Sequence, residues 1–126
     1  MEFTRLETAA LAQFTAYYAH EFPALGEHLR HARPVARLNT GNGFYTDLAV
    51  ALHLPRLECD SPLDNLTCRF DGMKEGLELL LFFRNGAASL LEGYAIAGED
   101  TSSIDLVTSG FSDIVPLWPA RKDTNG

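Results

Sequence analysis

The chain has 126 residues, 46% of them hydrophobic and 21% charged, which is the size and composition of one globular domain that buries its own core. It has no apolar run near the roughly 20 residues that cross a bilayer and no basic, apolar secretory start, so we expect a cytoplasmic protein. Its net charge of −7 arises entirely after residue 40, and no lysine or arginine occurs between Asn85 and Ala120. Such acidity disfavours nucleic acid and anionic membranes and favours a basic protein partner.

The metal-ligating and nucleophilic residue types form no recognisable motif. Cys59 and Cys68 lack the Cys-x-x-Cys spacing of zinc sites, and we expect both to be reduced thiols. Two of the four histidines, His28 and His31, are three residues apart, but no further ligand is evident. No phosphate-binding loop or nucleophile elbow is present, and we therefore predict neither a metal nor another cofactor.

Two helices are predicted at the N-terminus. Thr4 and Glu7 have the spacing of a capping box, and apolar residues then recur every three or four positions as far as Tyr17. Pro23 is suited to the first position of a second helix. This helix should end before Pro34, because the residue before a proline is disfavoured in helical conformation.

The rest of the chain has the signals of strands and turns. Alternating or apolar runs between turn residues predict strands at 35–39, 44–51, 66–70, 77–83, 87–97 and 103–108. The segment 111–119 carries two prolines, which favours extended or edge structure. We predict one α+β domain over residues 1–120, with two N-terminal helices on an antiparallel sheet of about five strands, and a flexible polar tail at 121–126.

The strongest local signal is the Asn85-Gly86 pair between two apolar runs, which is typical of a two-residue hairpin turn. Regular pairing from this turn predicts the partners Phe83 with Ala88, Leu81 with Leu90, Leu79 with Glu92, and Leu77 with Tyr94. Both faces of the hairpin are then largely apolar. The second face must therefore be covered by loops, including Phe111 to Trp118, or be buried in a dimer or complex.

Glu92 is the most informative polar residue, because the predicted register surrounds its carboxylate with leucines. Such surroundings raise a carboxyl pKa, which suits a structural hydrogen bond, a contact to a partner or a general acid. Asp47 and Tyr45 alternate with an apolar face on their strand and could line the same surface. The sequence leaves open whether that surface is functional or simply solvated.

Two segments also carry a resemblance to a group of proteins. They are Gly43-Phe44-Tyr45-Thr46-Asp47 and the hairpin that ends in Leu91-Glu92-Gly93-Tyr94. They resemble small uncharacterised bacterial proteins in which a Gly-Phe-Phe-Thr-Asp strand precedes a Leu-Glu-Gly-Tyr hairpin. The group's Trp-Pro ending is met here only further along the chain, at Trp118-Pro119. In size and acidity such proteins are similar to the immunity proteins of bacterial toxin systems.

These features lead us to expect a non-enzymatic protein-binding module, in particular an immunity protein that blocks a basic toxin domain by occlusion. The residues expected to bind the partner are Tyr45, Asp47, Glu92, Tyr94, Glu99, Asp100 and Trp118. One alternative is a small enzyme or ligand-binding domain with a pocket around Glu92, Asp47 and Tyr45. Another is a structural homodimer joined across the second apolar face of the hairpin.

Overall fold

The computed structural model of the protein describes residues 1–51 and 53–118, which form an α+β fold. The helices are α1 (Arg5–Tyr17) and α2 (Leu25–Arg30), and the strands are β1 (Ala32–Asn39), β2 (Gly43–Val50), β3 (Leu63–Cys68), β4 (Leu77–Arg84), β5 (Ala87–Ala95) and β6 (Val115–Pro116). The strands form one antiparallel sheet in the order β1-β2-β5-β4-β3-β6. The α+β class is confirmed, with six strands in the described residues rather than five.

Helix α1 begins as its sequence predicts. The Glu7 amide donates to the Thr4 hydroxyl at 3.0 Å, and the Thr4 amide donates to the Glu7 carboxylate at 2.8 Å. Helix α2 has only six residues and starts after Pro23 and Ala24. Strand β1 begins at Ala32 and includes Pro34, because an edge strand tolerates a residue without an N–H group.

The sheet has a buried face and an open face. On β4, Leu77, Leu79 and Leu81 are fully buried, whereas the alternating residues between them are only half-buried. The buried face packs against the apolar residues of α1 and α2, including Phe14 and Leu25, and forms the core. The opposite face, which we call the outer face, consists of the alternating residues of β2, β5 and β4, namely Tyr45, Asp47, Leu90, Glu92, Tyr94, Glu78, Leu80 and Phe82.

The hairpin of β4 and β5 lies at the centre of the sheet, but its predicted register is wrong beyond the first pair. Phe83 pairs with Ala88 as expected, and a bulge then adds one residue to β5. The remaining pairs are Phe82 with Leu90, Leu81 with Leu91, Leu80 with Glu92, Leu79 with Gly93, Glu78 with Tyr94 and Leu77 with Ala95. Glu92 therefore lies beside Leu80 on the outer face, and Leu79 and Leu81 belong to the core.

The C-terminal segment differs from its prediction at two places. The prediction of a strand at 103–108 is wrong, because this segment forms turns. The Asp105 carboxylate accepts hydrogen bonds from the amides of Val107 and Thr108 and stabilises one of these turns. The 111–118 segment lies at the edge of the sheet, where Val115 pairs with Thr67, and it does not cover the outer face. The predicted tail at 121–126 lies outside the described residues. Within the described part of the chain, neither helix is long and apolar enough to span a bilayer.

Candidate functional site

Four of the residues expected to bind a partner lie together on the outer face. Tyr45 of β2 is directly opposite Glu92 of β5, and Asp47 is opposite Leu90. Tyr94 is two positions from Glu92 on the same strand and therefore on the same face. The two tyrosines are 41% and 43% exposed, which is unusual for large side chains in the middle of a sheet.

A fifth polar residue of this surface, Glu78, was missed by the sequence reasoning. It pairs with Tyr94 and is half-buried on the outer face. The bulge in β5, which shifts every pair beyond Phe83 by one residue, brings Glu92 and Tyr94 to the same face as Glu78. The alternation of β4 alone, with leucines on either side of Glu78, could have indicated that it points away from the core.

The carboxylates of the outer face have no ion-pair partner within residues 1–51 and 53–118, where only Glu7 and Glu27 form such pairs. Burial raises the pKa of Glu92 above its usual value. Burial, together with the nearby charge of Asp64, also raises the pKa of Glu78. The charged forms of both residues are therefore under-solvated, and a cation that approached them would relieve this cost.

The same face carries the apolar groups that an interface requires. Leu80, Phe82 and Leu90 are half-buried, and Leu38 of the neighbouring edge strand is 59% exposed. Leu38 pairs with Tyr45 and so extends the face onto β1. Aromatic and aliphatic side chains beside carboxylates give both an apolar centre and a defined charge.

The other three predicted residues are located elsewhere. Glu99 accepts hydrogen bonds from the amides of Lys74 and Glu75, which lower its pKa and hold two loops together. Asp100 accepts from the amide and hydroxyl of Ser102. Trp118 is 69% exposed and follows β6 at the edge of the sheet, where its backbone is bonded to Asn65. The structure does not bring these residues to the outer face.

The cysteines and histidines do not come together as a metal site in the described part of the chain. No group of three or more metal-ligating side chains occurs there. Cys68 is buried, and burial raises the pKa of its thiol to about 11, which disfavours the reactive thiolate. His31 forms a hydrogen bond with the Glu27 carboxylate. His28 is buried and accepts a hydrogen bond from the amide of Ala88.

A buried carboxylate lies on the inner side of the sheet. Glu7 is 1% exposed, accepts hydrogen bonds from Nε and Nη2 of Arg37 at 2.6 and 2.5 Å, and also accepts from the Thr46 hydroxyl. Burial alone would raise the pKa of Glu7, but these bonds and that from Thr4 outweigh it and lower the pKa. The sequence indicated only the helix cap, because residues 30 positions apart in the chain give no local signal of pairing.

Among the described residues, two of the cavities lie on the inner side, and neither of them is lined by Tyr45, Asp47 or Glu92. The larger is bordered by Arg37 and by the turn that replaces the expected strand at 103–108. The chain has no significant match to a known protein family, a curated protein or a solved structure.

Proposed function

We propose that this chain is a non-enzymatic protein-binding module that docks a basic protein domain on its outer face. The observation that carries the proposal is the surface itself. Two exposed tyrosines surround Glu92 in the middle of an open sheet, and Glu78 and Asp47 flank them without an ion-pair partner in the described residues. Tyrosine is one of the residue types enriched among the few side chains that carry most of the binding energy in protein interfaces, and charge complementarity favours the matching partner.

A second copy of the chain fits this surface less well than a basic partner. A two-fold dimer brings the same patch of both copies together, so the carboxylates of one copy would meet those of the other. The outer face would have to desolvate these like charges without compensation. A partner that presents lysine or arginine side chains would instead neutralise them.

We further propose that the partner is a bacterial toxin domain whose basic surface is blocked by occlusion in the cytoplasm. The small size and the acidity of the chain, in which it is similar to the immunity proteins of bacterial toxin systems, support this identification. Occlusion needs no chemistry from the chain. Electrostatic attraction between the two proteins would accelerate their association and make it sensitive to salt.

The test compares affinity purification of tagged wild-type protein with that of E92R and E21R variants. Glu21 is exposed and lies between the helices, so E21R makes the same charge reversal away from the outer face. We expect one stoichiometric basic partner with the wild type and E21R, released by high salt and absent with E92R. That partner expressed alone should arrest growth, and co-expression of the wild type but not E92R should restore it.

Partner capture that E92R leaves unchanged would contradict docking on the outer face. A captured partner that is harmless when expressed alone would contradict the immunity function but not the docking. A chain that sediments as a dimer and keeps that state on dilution would support the homodimer instead.

A further inference from the structure

The larger cavity lies on the side of the sheet opposite the proposed docking surface. It has a volume of about 210 Å³ and lies between the start of α1, the end of the β1–β2 hairpin and the turn at 104–107. Its apolar walls are Phe44, Ile104, Leu106 and Val107. An apolar cavity of about 150 Å³ is enough to hold benzene, so this one has room for a benzene-sized body with one substituent.

Most polar side chains that line the cavity already form hydrogen bonds within the protein. The Asp105 carboxylate accepts from Val107 and Thr108 of its own turn. The Asn39 amide group donates to the carbonyls of Thr101 and Ile104, and its oxygen accepts from Gly41 and Thr101. A ligand that sought hydrogen bonds from either side chain would have to displace an internal one.

Arg37 differs from these residues, because its guanidinium does not use all of its N–H groups in hydrogen bonds to the described residues. Its Nε donates to Glu7, and its Nη2 donates to Glu7 and to the Glu2 carbonyl. No residue of the described chain accepts from Nη1. Arg37 lines the cavity, and the buried Glu7 fixes the plane of its guanidinium, so the two N–H groups of Nη1 are already ordered when a ligand binds.

The charges around the cavity select among ligands. Glu7 balances the charge of Arg37, and Asp105 adds a negative charge to the lining. The negative charge of Asp105 would repel a carboxylate ligand. A cation could not accept a hydrogen bond from Arg37 and, to pair with Asp105, would have to displace the bonds that this carboxylate accepts within its own turn. The lining is therefore best complemented by a neutral molecule with an oxygen acceptor.

We propose that this cavity binds a small neutral ligand with a benzene-sized apolar body and a carbonyl oxygen that accepts hydrogen bonds from Nη1 of Arg37. The body contacts Phe44, Ile104 and Leu106, and the carbonyl points to the guanidinium. The site is independent of the outer face and does not rest on the proposed docking of a protein partner.

The test is an NMR titration of the full chain with benzamide as the probe, followed on its methyl and amide signals. We expect saturable shifts at Ile104, Leu106 and Val107 with a dissociation constant on the order of 1 mM, as suits so small a ligand. Benzylammonium, which has the same ring but no acceptor, should bind about tenfold more weakly. Weaker binding of benzylammonium would not be a general charge effect, because its positive charge is attracted to a chain of net charge −7.

Two variants locate the site. V107F places a larger side chain in the cavity, because Val107 lines it. Val107 is 49% exposed, so we expect the fold to tolerate this substitution. V115F makes the same change at a 48% exposed valine of β6, outside the cavity. We expect V107F to weaken benzamide binding at least tenfold and V115F to leave it unchanged.

The proposal is overturned if benzamide gives no saturable shift, or if benzylammonium binds the wild type equally well. It is also overturned if folded V107F binds benzamide as the wild type does. The comparison of the two probes on the wild type remains decisive if V107F does not fold.

Discussion

Glu7 has two roles, because one carboxylate both caps α1 and neutralises Arg37. It is 1% exposed, and the Arg37 side chain is 19% exposed, so the pair is largely withdrawn from water. Neither charge would be stable there alone. The buried pair ties the first helix to β1 and to Thr46 of β2, and its loss should loosen the contact between helix and sheet.

We expect E7Q to lower the free energy of unfolding by about 3 kcal/mol, because it leaves the Arg37 guanidinium without a counter-charge. Urea unfolding at pH 7 measures this change. E27Q is the matched control, since Glu27 pairs with Arg30 and His31 on the surface and its loss should cost under about 1 kcal/mol. Equal effects of the two substitutions would show that the buried pair contributes no more than an exposed one.

His28 makes the stability of the protein depend on pH. Its Nε2 accepts a hydrogen bond from the Ala88 amide at 3.0 Å, and Nδ1 has no partner among the described residues. The proton of the neutral ring is therefore on Nδ1, and protonation of Nε2 would set two donors against each other. Burial first, and the charge of His31 second, lower the pKa of His28 below its usual 6.5.

As pH falls below about 6.5, the unfolded chain takes up a proton at His28 that the folded chain does not, so folding stability decreases toward the folded-state pKa. We expect H28Q, whose amide oxygen can accept from Ala88, to remove part of this decrease between pH 7.5 and 5.5. H20Q is the control, at an exposed histidine between α1 and α2. Parallel stability profiles for the wild type and H28Q, measured by urea unfolding, would contradict the assignment.

At the scale of the elements, the ring of Phe44 on β2 can lie over β5 because Gly93 has no side chain. A Cβ atom at Gly93 would lie 2.2 Å from Cε1 of the Phe44 ring, and this ring is buried in the core. Gly93 pairs with Phe44 across the two strands, so the ring covers the glycine of its neighbour. The two residues form one packing unit at the centre of the sheet.

We expect G93A to destabilise the protein by about 1–3 kcal/mol, because the ring must leave its position. The combined variant G93A/F44L should lose less than the sum of the two single variants, since a leucine leaves room for the new methyl group. A double-mutant cycle from urea unfolding measures this coupling. Additive losses would show that Phe44 does not restrict position 93.

The elements differ in how far sequence could predict them. The cap of α1, the Asn85-Gly86 turn and the first pair after it depend on neighbouring residues, and all three are confirmed. The bulge in β5 was not predicted, because Ser89 carries no local signal and only the packing of both strands places it. Ser89, the extra residue of the bulge, determines that Glu92 lies on the outer face. The Glu7–Arg37 pair was also not predicted, because it too has no local signal in the sequence.

At the scale of the whole molecule, the described residues, 1–51 and 53–118, leave one face of the sheet without a covering layer. Both helices pack on the inner face, and the turn at 104–107 closes the same side. Open sheet faces with apolar groups tend to associate unless charges prevent it. Glu78, Glu92 and Asp47 are placed among the apolar residues of the outer face, where they oppose contact between two copies of the chain.

We therefore expect the wild type to sediment as a monomer at pH 7.5 and the E78Q/E92Q variant to self-associate, because the apolar residues of its outer face lose most of their electrostatic protection. E21Q/E58Q removes the same charge from exposed residues outside the strands of the sheet and should remain monomeric. Sedimentation velocity over a range of concentrations measures the difference. A monomeric E78Q/E92Q variant would mean that the outer face is too polar to associate even without these charges, and it would weaken the case for an apolar centre in the proposed interface.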